Sequence, residues 1–477
     1  MKRLLALAVV VGTAGLVWLA PGDVRVRAQN RMNFPLVAPD SGHAALGLAI
    51  RRLNVSGTFL QTVAHPDDEH NQLYAMFTLG RGLRSIDVQT TRGDGGQNEI
   101  GPELFQDLAV LRTSELMAAH RLDGAEQYFT RAIDFGYSFD PPEIYQKWGR
   151  QEVIGDFVRL IRTFRPDVVL TMNIQGRGGD RAHEATAVLT REAFRAAADP
   201  TQYPEQIAQG LRPWQAKKLY FTGGFGGGGG RGAEATPPAA GVKPTAVNSA
   251  IYDALLGRTY AEIGADARSS HKCQGLTRLP GLPGGGGMGR GGAYQLVETT
   301  TAGQMDRGET SLFDGMDTSL AGLVQYGGAN PPEALKKGLA AIVEQAVAAE
   351  KAFDSGNDAG TVQPIVAGLA AVRALGAELA SIGLGDAARY EIDYRLKMKE
   401  QDYQNAVLAA YNLAFDAVAD DGLVIGGQAM KLTLVIVNHG QADVGVSDIA
   451  ITGFDGRAVC PPGSVQKNAV YTCTTDV

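Results

Sequence analysis

A chain of 477 residues, 44% hydrophobic and 20% charged, has enough apolar material for two or three globular domains with real cores. Its formal net charge of -7, with no basic stretch to offset it, excludes the electrostatic footprint of a nucleic-acid binder. Much of the excess among its 61 glycines falls in two loops, which excludes a fibrous repeat.

At the N-terminus, Lys2 and Arg3 precede an uncharged, mostly apolar run from Leu4 to Ala20. Val26-Arg27-Ala28 offers a small-residue cleavage site, with Ala20 as another candidate. Residues 1–28 are therefore expected to be a signal peptide, and the protein to be exported to the periplasm or the cell exterior. The alternative is an uncleaved segment near the lower length limit for spanning, the one membrane link expected from the sequence.

From about residue 50 to 275, strand-like and helix-like segments alternate. Phe59–Val63, Ser85–Thr91, Asp167–Met172 and Lys217–Thr222 read as strands. Asn71–Leu79, Glu103–His120, Glu152–Phe164 and Glu184–Ala197 read as helices, with Leu104, Leu108, Leu111, Leu116 and Met117 recurring on one face of the second. The alternation predicts an α/β fold, a Rossmann-like, mostly parallel sheet with flanking helices, over residues 45–330. Ligands in such sheets sit beyond the carboxyl ends of the strands. The tracts Gly223–Gly232 and Gly281–Gly292 lack the Lys-Ser/Thr of a phosphate-binding loop and read as surface loops.

Residues 331–421 turn rich in Ala, Leu and Glu, and predict helices over Ala334–Phe353, Val362–Ile382 and Tyr390–Val418 without chemistry of their own. Residues 422–477 carry strand patterns at Lys431–Asn438, Val446–Ile451 and Val470–Cys473. These resemble part of a β-sandwich, short of the usual seven or so strands, so a truncated sandwich or strands packed on the helices is expected. The three cysteines form no CxxC pair, which argues against a thiolate zinc site. Cys460 and Cys473 are expected to form a disulfide, leaving Cys273 free.

The chemistry concentrates in Ala64-His65-Pro66-Asp67-Asp68-Glu69, directly after the first strand. One imidazole and three carboxylates in five residues would repel one another unless a cation neutralises them. His65 and Asp68, three apart on the turn, can face one crevice. His183, which follows the third strand and opens a helix, is the candidate third ligand. Two His and one Asp leave positions open, as a catalytic metal requires. Asp67 would stay free beside a metal-bound water to take its proton. Taken singly, a His at a strand end is usually a hydrogen-bonded residue, and Glu69 reads as a helix-start cap.

The motif Ala64–Glu69 resembles the first motif of the zinc-dependent deacetylases of the PIG-L/LmbE family. The likeness continues through Thr91-Arg92-Gly93-Asp94-Gly95-Gly96-Gln97-Asn98, through Arg112 and Glu115, through His183-Glu184-Ala185, and through Ser270-His271-Lys272-Cys273-Gln274. It spans roughly residues 50 to 280. The resemblance implies Zn2+ held by His65, Asp68 and His183, with Asp67 as general base. It implies His271 near the reacting centre, Gln97 and Asn98 on the substrate side, and Arg112 and Glu115 as structural positions. Asp180 stands where the family usually has a His beside the oxyanion, and it is grouped with the substrate-side residues. Cys273 replaces a usual Ser. An acid beside a developing oxyanion would repel it unless protonated.

The expected function is therefore hydrolysis of an acetyl group from an N-acetylated sugar or related amide, with a small molecule or glycan as substrate. Two alternatives stand beside it. One is a glycan-binding protein that kept the metal pocket and lost turnover. The other is a non-haem iron oxygenase using His65, Asp67 and His183 as its triad. A dinucleotide site is disfavoured, because Gly93-x-Gly95-Gly96 lacks the full glycine spacing and the first strand runs into acids.

Overall fold

The computed structural model describes residues 13–19, 24–29, 41–174, 180–222, 244–277, 293–305, 308–451, 453–454 and 460–477. The two glycine-rich tracts lie outside these residues. The chain divides into two compact units, Gly57–Thr318 and a second made of Met1–Ser56 with Ser319–Val477. The expected boundaries at 45, 330 and 421 shift accordingly. The N-terminal helix, the helical region and the β-rich region are one unit, because their apolar faces share a core.

In chain order, β1 (Thr13–Leu19) and β2 (Val24–Gln29) pair antiparallel inside the stretch expected to be an export leader. Helix α1 (Gly42–Leu53) buries Leu46, Ile50 and Leu53. The larger unit then begins with β3 (Thr58–Val63), a short α2 (Asn71–Tyr74) that continues as a π-helical turn over Ala75–Gly80, and β4 (Arg84–Gln89). Next come α3 (Gln106–Asp123), β5 (Glu126–Phe129), α4 (Pro141–Trp148), α5 (Arg150–Phe164), β6 (Val168–Thr171) and α6 (Ala182–Ala196). They are followed by α7 (Pro204–Ala208), β7 (Lys218–Thr222), β8 (Thr245–Ala246), the small hairpin β9 (Tyr252–Asp253) and β10 (Arg258–Thr259), α8 (Tyr260–Arg268) and β11 (Ala293–Thr299).

These strands form one seven-stranded sheet in the order β5-β4-β3-β6-β7-β11-β8. The five strands from β5 to β7 are parallel, and β11 is antiparallel to both of its neighbours. Strands β3, β6 and β7 are buried along their whole length, as a sheet covered on both faces requires. The chain runs outward from β3 to β4 and β5, then returns to β6 on the other side of β3. That reversal opens a crevice beyond the carboxyl ends of β3 and β6.

Helix α3 departs from its apolar pattern. Leu108 and Leu116 are buried, but Leu104 lies before the helix begins and Leu111 is exposed, and the inward face also carries Arg112, His120 and Asp123. Polar partners beneath it, described below, explain why this face turned inward.

In the other unit, α9 (Glu333–Asp354), α10 (Asp358–Glu378) and α11 (Asp386–Ala410) pack with α1 around Leu339, Ile342, Leu369, Leu396 and Tyr403. By length and composition α10 is apolar enough to cross a membrane, contrary to expectation, yet Ile365, Leu369, Val372 and Leu375 are buried among its neighbouring helices. The third helix ends at Ala410, not Val418. Asn412 takes φ 50°, and β12 (Leu413–Ala419) continues as a strand with period-two burial.

Strands β13 (Lys431–Asn438), β14 (Val444–Ile451), β15 (Gly463–Val465) and β16 (Val470–Asp476) complete two sheets, β15-β14-β1-β2 and β12-β13-β16. Leu432, Leu434 and Ile436 share one apolar cluster with Val446, Ile449 and Ile451, and the Cys460–Cys473 disulfide lies in it. The strands that the sequence reading found wanting come from β12, β15 and the N-terminal pair.

Candidate metal centre

His65 leaves the carboxyl end of β3 and His183 opens α6, just after β6, so the switch point of the sheet brings the two together. One donor atom from each of His65, Asp68 and His183 falls within 4.8 Å of the others. Asp68 Oδ2 lies 3.4 Å from His65 Nδ1 and 3.4 Å from His183 Nε2. Four ligands at about 2.1 Å around a tetrahedral ion stand roughly 3.4 Å apart, so this donor set fits a divalent cation. The same Asp68 oxygen accepts the His65 backbone N–H at 2.9 Å, which closes the turn. Asp68 is held well below the usual carboxylate range. Burial opposes this, but His183 and His65 outweigh it. Burial likewise opposes a charged His183, and Asp68 outweighs it, raising the ring to about 9.

Two further carboxylates approach the far side of His65. Its Nε2 is 3.7 Å from Asp180 Oδ2 and 3.9 Å from Asp134 Oδ2. Asp180 also accepts the Ala182 N–H in the first turn of α6. Nothing in the sequence singled out Asp134, which sits in a loop after β5.

Asp67 is not part of the cluster. Its Oδ1 accepts from Arg112 Nη2 at 3.1 Å, and its Oδ2 lies 3.8 Å from Arg268. The iron triad that would use Asp67 is therefore not the one assembled; Asp68 supplies the carboxylate. Burial, then repulsion by Asp68, raises Asp67 to about 6 against the pull of both arginines.

Glu69 is no exposed helix cap. It is fully buried, bonds His271 Nε2 at 2.5 Å through Oε1, and accepts from Asn71 at 3.2 Å. His271 is equally buried, so it lies behind the turn and not in the open crevice. The polar system runs on inward. Asn71 donates to Asp123 at 2.9 Å, and Tyr74 and Gln89 donate to Asp87 at 2.7 and 2.8 Å. His120 lies between Asp123 and Asp87 at 3.0 and 3.3 Å.

The remaining motif residues tie loops together. Arg112 donates to the Pro66 and Gly93 carbonyls at 2.6 and 3.2 Å, and Glu115 accepts the Cys273 N–H at 2.8 Å. Asn98 is committed to its own loop, accepting from Ile100 and Gly101 and donating to Glu103. Gln97 is exposed, and its backbone carbonyl accepts from Gln274 at 2.7 Å. Neither side chain is brought into the cluster. Cys273 is a buried free thiol.

Residues 60–194 match the model of the PIG-L family, described as GlcNAc-PI de-N-acetylase. That stretch of the chain is PIG-L-like. Mycothiol S-conjugate amidase of Streptomyces coelicolor is 30% identical over 176 residues, covering 34% of this chain and 59% of that protein. 1D-myo-inositol 2-acetamido-2-deoxy-alpha-D-glucopyranoside deacetylase 1 of Frankia alni is 31% identical over 178 residues, covering 33% and 60%. The chain thus spans about 60% of the length of these curated relatives. Among solved structures, N,N'-diacetylchitobiose deacetylase from Pyrococcus horikoshii aligns with a TM-score of 0.34 and 18% identity, covering 46% of this chain and 71% of that one. The PIG-L match includes the first motif and His183 and ends inside α6.

Proposed function

We propose that the chain is a zinc-dependent amidohydrolase that removes the acetyl group from an N-acetylated amino sugar. The observation that carries this is a His-Asp-His donor set with an unligated aspartate, Asp67, beside it in a PIG-L-like stretch. Bound zinc would polarise the amide carbonyl and acidify its water. Asp67 takes the proton of that attacking water and returns it to the amine as the C–N bond breaks, giving acetate and a free amino sugar. A carboxylate raised to about 6 is ionised at neutral pH and is a stronger base than an ordinary aspartate. Asp134 and Asp180 present acceptors at the edge of the cluster suited to sugar hydroxyls. The leader-like N-terminus supports action outside the cytoplasm.

The test is acetate release from a panel of N-acetylglucosaminides by the zinc-loaded full chain. Asp67→Asn should lower turnover by about 100-fold or more while zinc content is retained. Near-normal turnover in that variant would remove Asp67 from the base role. The closeness of the Asp180 carboxylate to His65 favours a second reading, a glycan binder without turnover. Sugar binding with no acetate released across the panel would select it.

A further inference from the structure

The backbone at Asp67 adopts a conformation that an aspartate does not choose by itself. Its φ is 113°, a region that favours glycine. Three side chains grip the two peptides that meet there. Glu69 Oε2 accepts the Asp67 N–H at 2.8 Å, Arg268 Nη1 donates to the Asp67 carbonyl at 3.2 Å, and Arg112 Nη2 donates to the Pro66 carbonyl at 2.6 Å.

Two of these grips trace to one short stretch at the end of α8. Arg268 is the last residue of the helix, and its carbonyl accepts the His271 N–H at 3.2 Å. His271 then bonds Glu69 through Nε2, while its Nδ1 has no hydrogen-bond partner among the described residues. The ring is therefore oriented by Glu69, and the other oxygen of that same carboxylate holds Asp67. Burial opposes a charged His271, yet the Glu69 carboxylate outweighs it and raises the ring. A short, buried hydrogen bond of this kind fixes a carboxylate in one orientation.

We propose that Arg268 and His271 are positioning residues for the hydrolysis. From one turn they lock both sides of the Asp67 peptide, Arg268 directly and His271 through Glu69, and so keep the Asp67 carboxylate beside the metal cluster. This rests on Asp67 being the base. Neither residue is among the cluster donors. Releasing either grip lets the unfavourable backbone relax and turns the carboxylate away, without removing a ligand.

The experiment compares Arg268→Ala, Arg268→Lys and His271→Gln with the wild-type full chain. One arm, independent of turnover, is amide hydrogen exchange of the peptide spanning residues 64–70. The expected result is faster exchange in Arg268→Ala and His271→Gln, with zinc content unchanged and partial recovery in Arg268→Lys. The second arm is kinetic. The kcat should fall about 10- to 100-fold with KM within about threefold, as misplacement of a reacting group predicts. In an Asp67→Asn background, adding Arg268→Ala should cost nothing further. Unchanged exchange, zinc lost in step with kcat, or a full additional loss in the Asp67→Asn background would each overturn the proposal. Should His271→Gln fail to fold, the partly exposed Arg268 variants decide it. A wild type that releases no acetate would sink the deacetylase reading, and the exchange arm alone would still decide the clamp.

Discussion

At the scale of single residues, His183 would govern the loading of the proposed metal site. With its ring raised to about 9 it is protonated at neutral pH, whereas a ligand imidazole must be neutral. Zinc binding at pH 7 should therefore release at least one proton, and affinity should rise about tenfold per pH unit as pH climbs towards 9. Calorimetric titration in buffers of different ionisation heat would read this, and a binding heat independent of buffer would contradict it. That His65, Asp68 and His183 converge was legible in the sequence because a His-acid motif at one strand end combines with a later His beyond another, although each residue alone has a bland reading. Asp134 and Arg268 were not legible, since a lone Asp in a loop and an Arg near a helix end are common surface residues. Glu69 was visible but misread, because capping is the usual fate of an acid where a helix begins.

At the scale of elements, the loop after β4 is shaped to admit Arg112. Gly93 has φ 72°, and a Cβ there would come 2.2 Å from Arg112 Nη1. Gly210 has φ 96° but open space around it. Gly210→Ala should cost only the backbone preference, about 1 kcal/mol. Gly93→Ala should cost more, roughly 2–4 kcal/mol, because it also displaces a buried guanidinium from the Pro66 carbonyl. Denaturant unfolding of the two variants would measure the difference, and equal losses would show that Arg112 yields freely. The inward polar face of α3 belongs to the same logic. Helical periodicity in the sequence revealed that α3 exists. It could not reveal which face turns inward, because Arg112, His120 and Asp123 are paid for by partners from β4, α2 and the metal turn.

At the scale of the whole molecule, the larger unit is inserted into the smaller, and its ends meet where Gly57 lies against Thr318. Two cooperative transitions are expected in calorimetry. Reduction of Cys460–Cys473, which closes a loop of sequence separation 13, should lower only the transition of the smaller unit, by about 3 kcal/mol. A single transition that shifts as one block would argue against independent units. The sequence by itself determined the parallel α/β core, the three helices that follow, the disulfide and the His and Asp residues of the candidate metal cluster. Each of these leaves a local trace in hydrophobic period, strand length or side-chain chemistry. Only the tertiary structure decided that β12 is a strand, that α1 packs with the C-terminal helices, and that Glu69 serves Asp67 from within. The packing of α1 depends on partners hundreds of residues away, β12 on its pairing with β13, and the role of Glu69 on burial that no local pattern encodes.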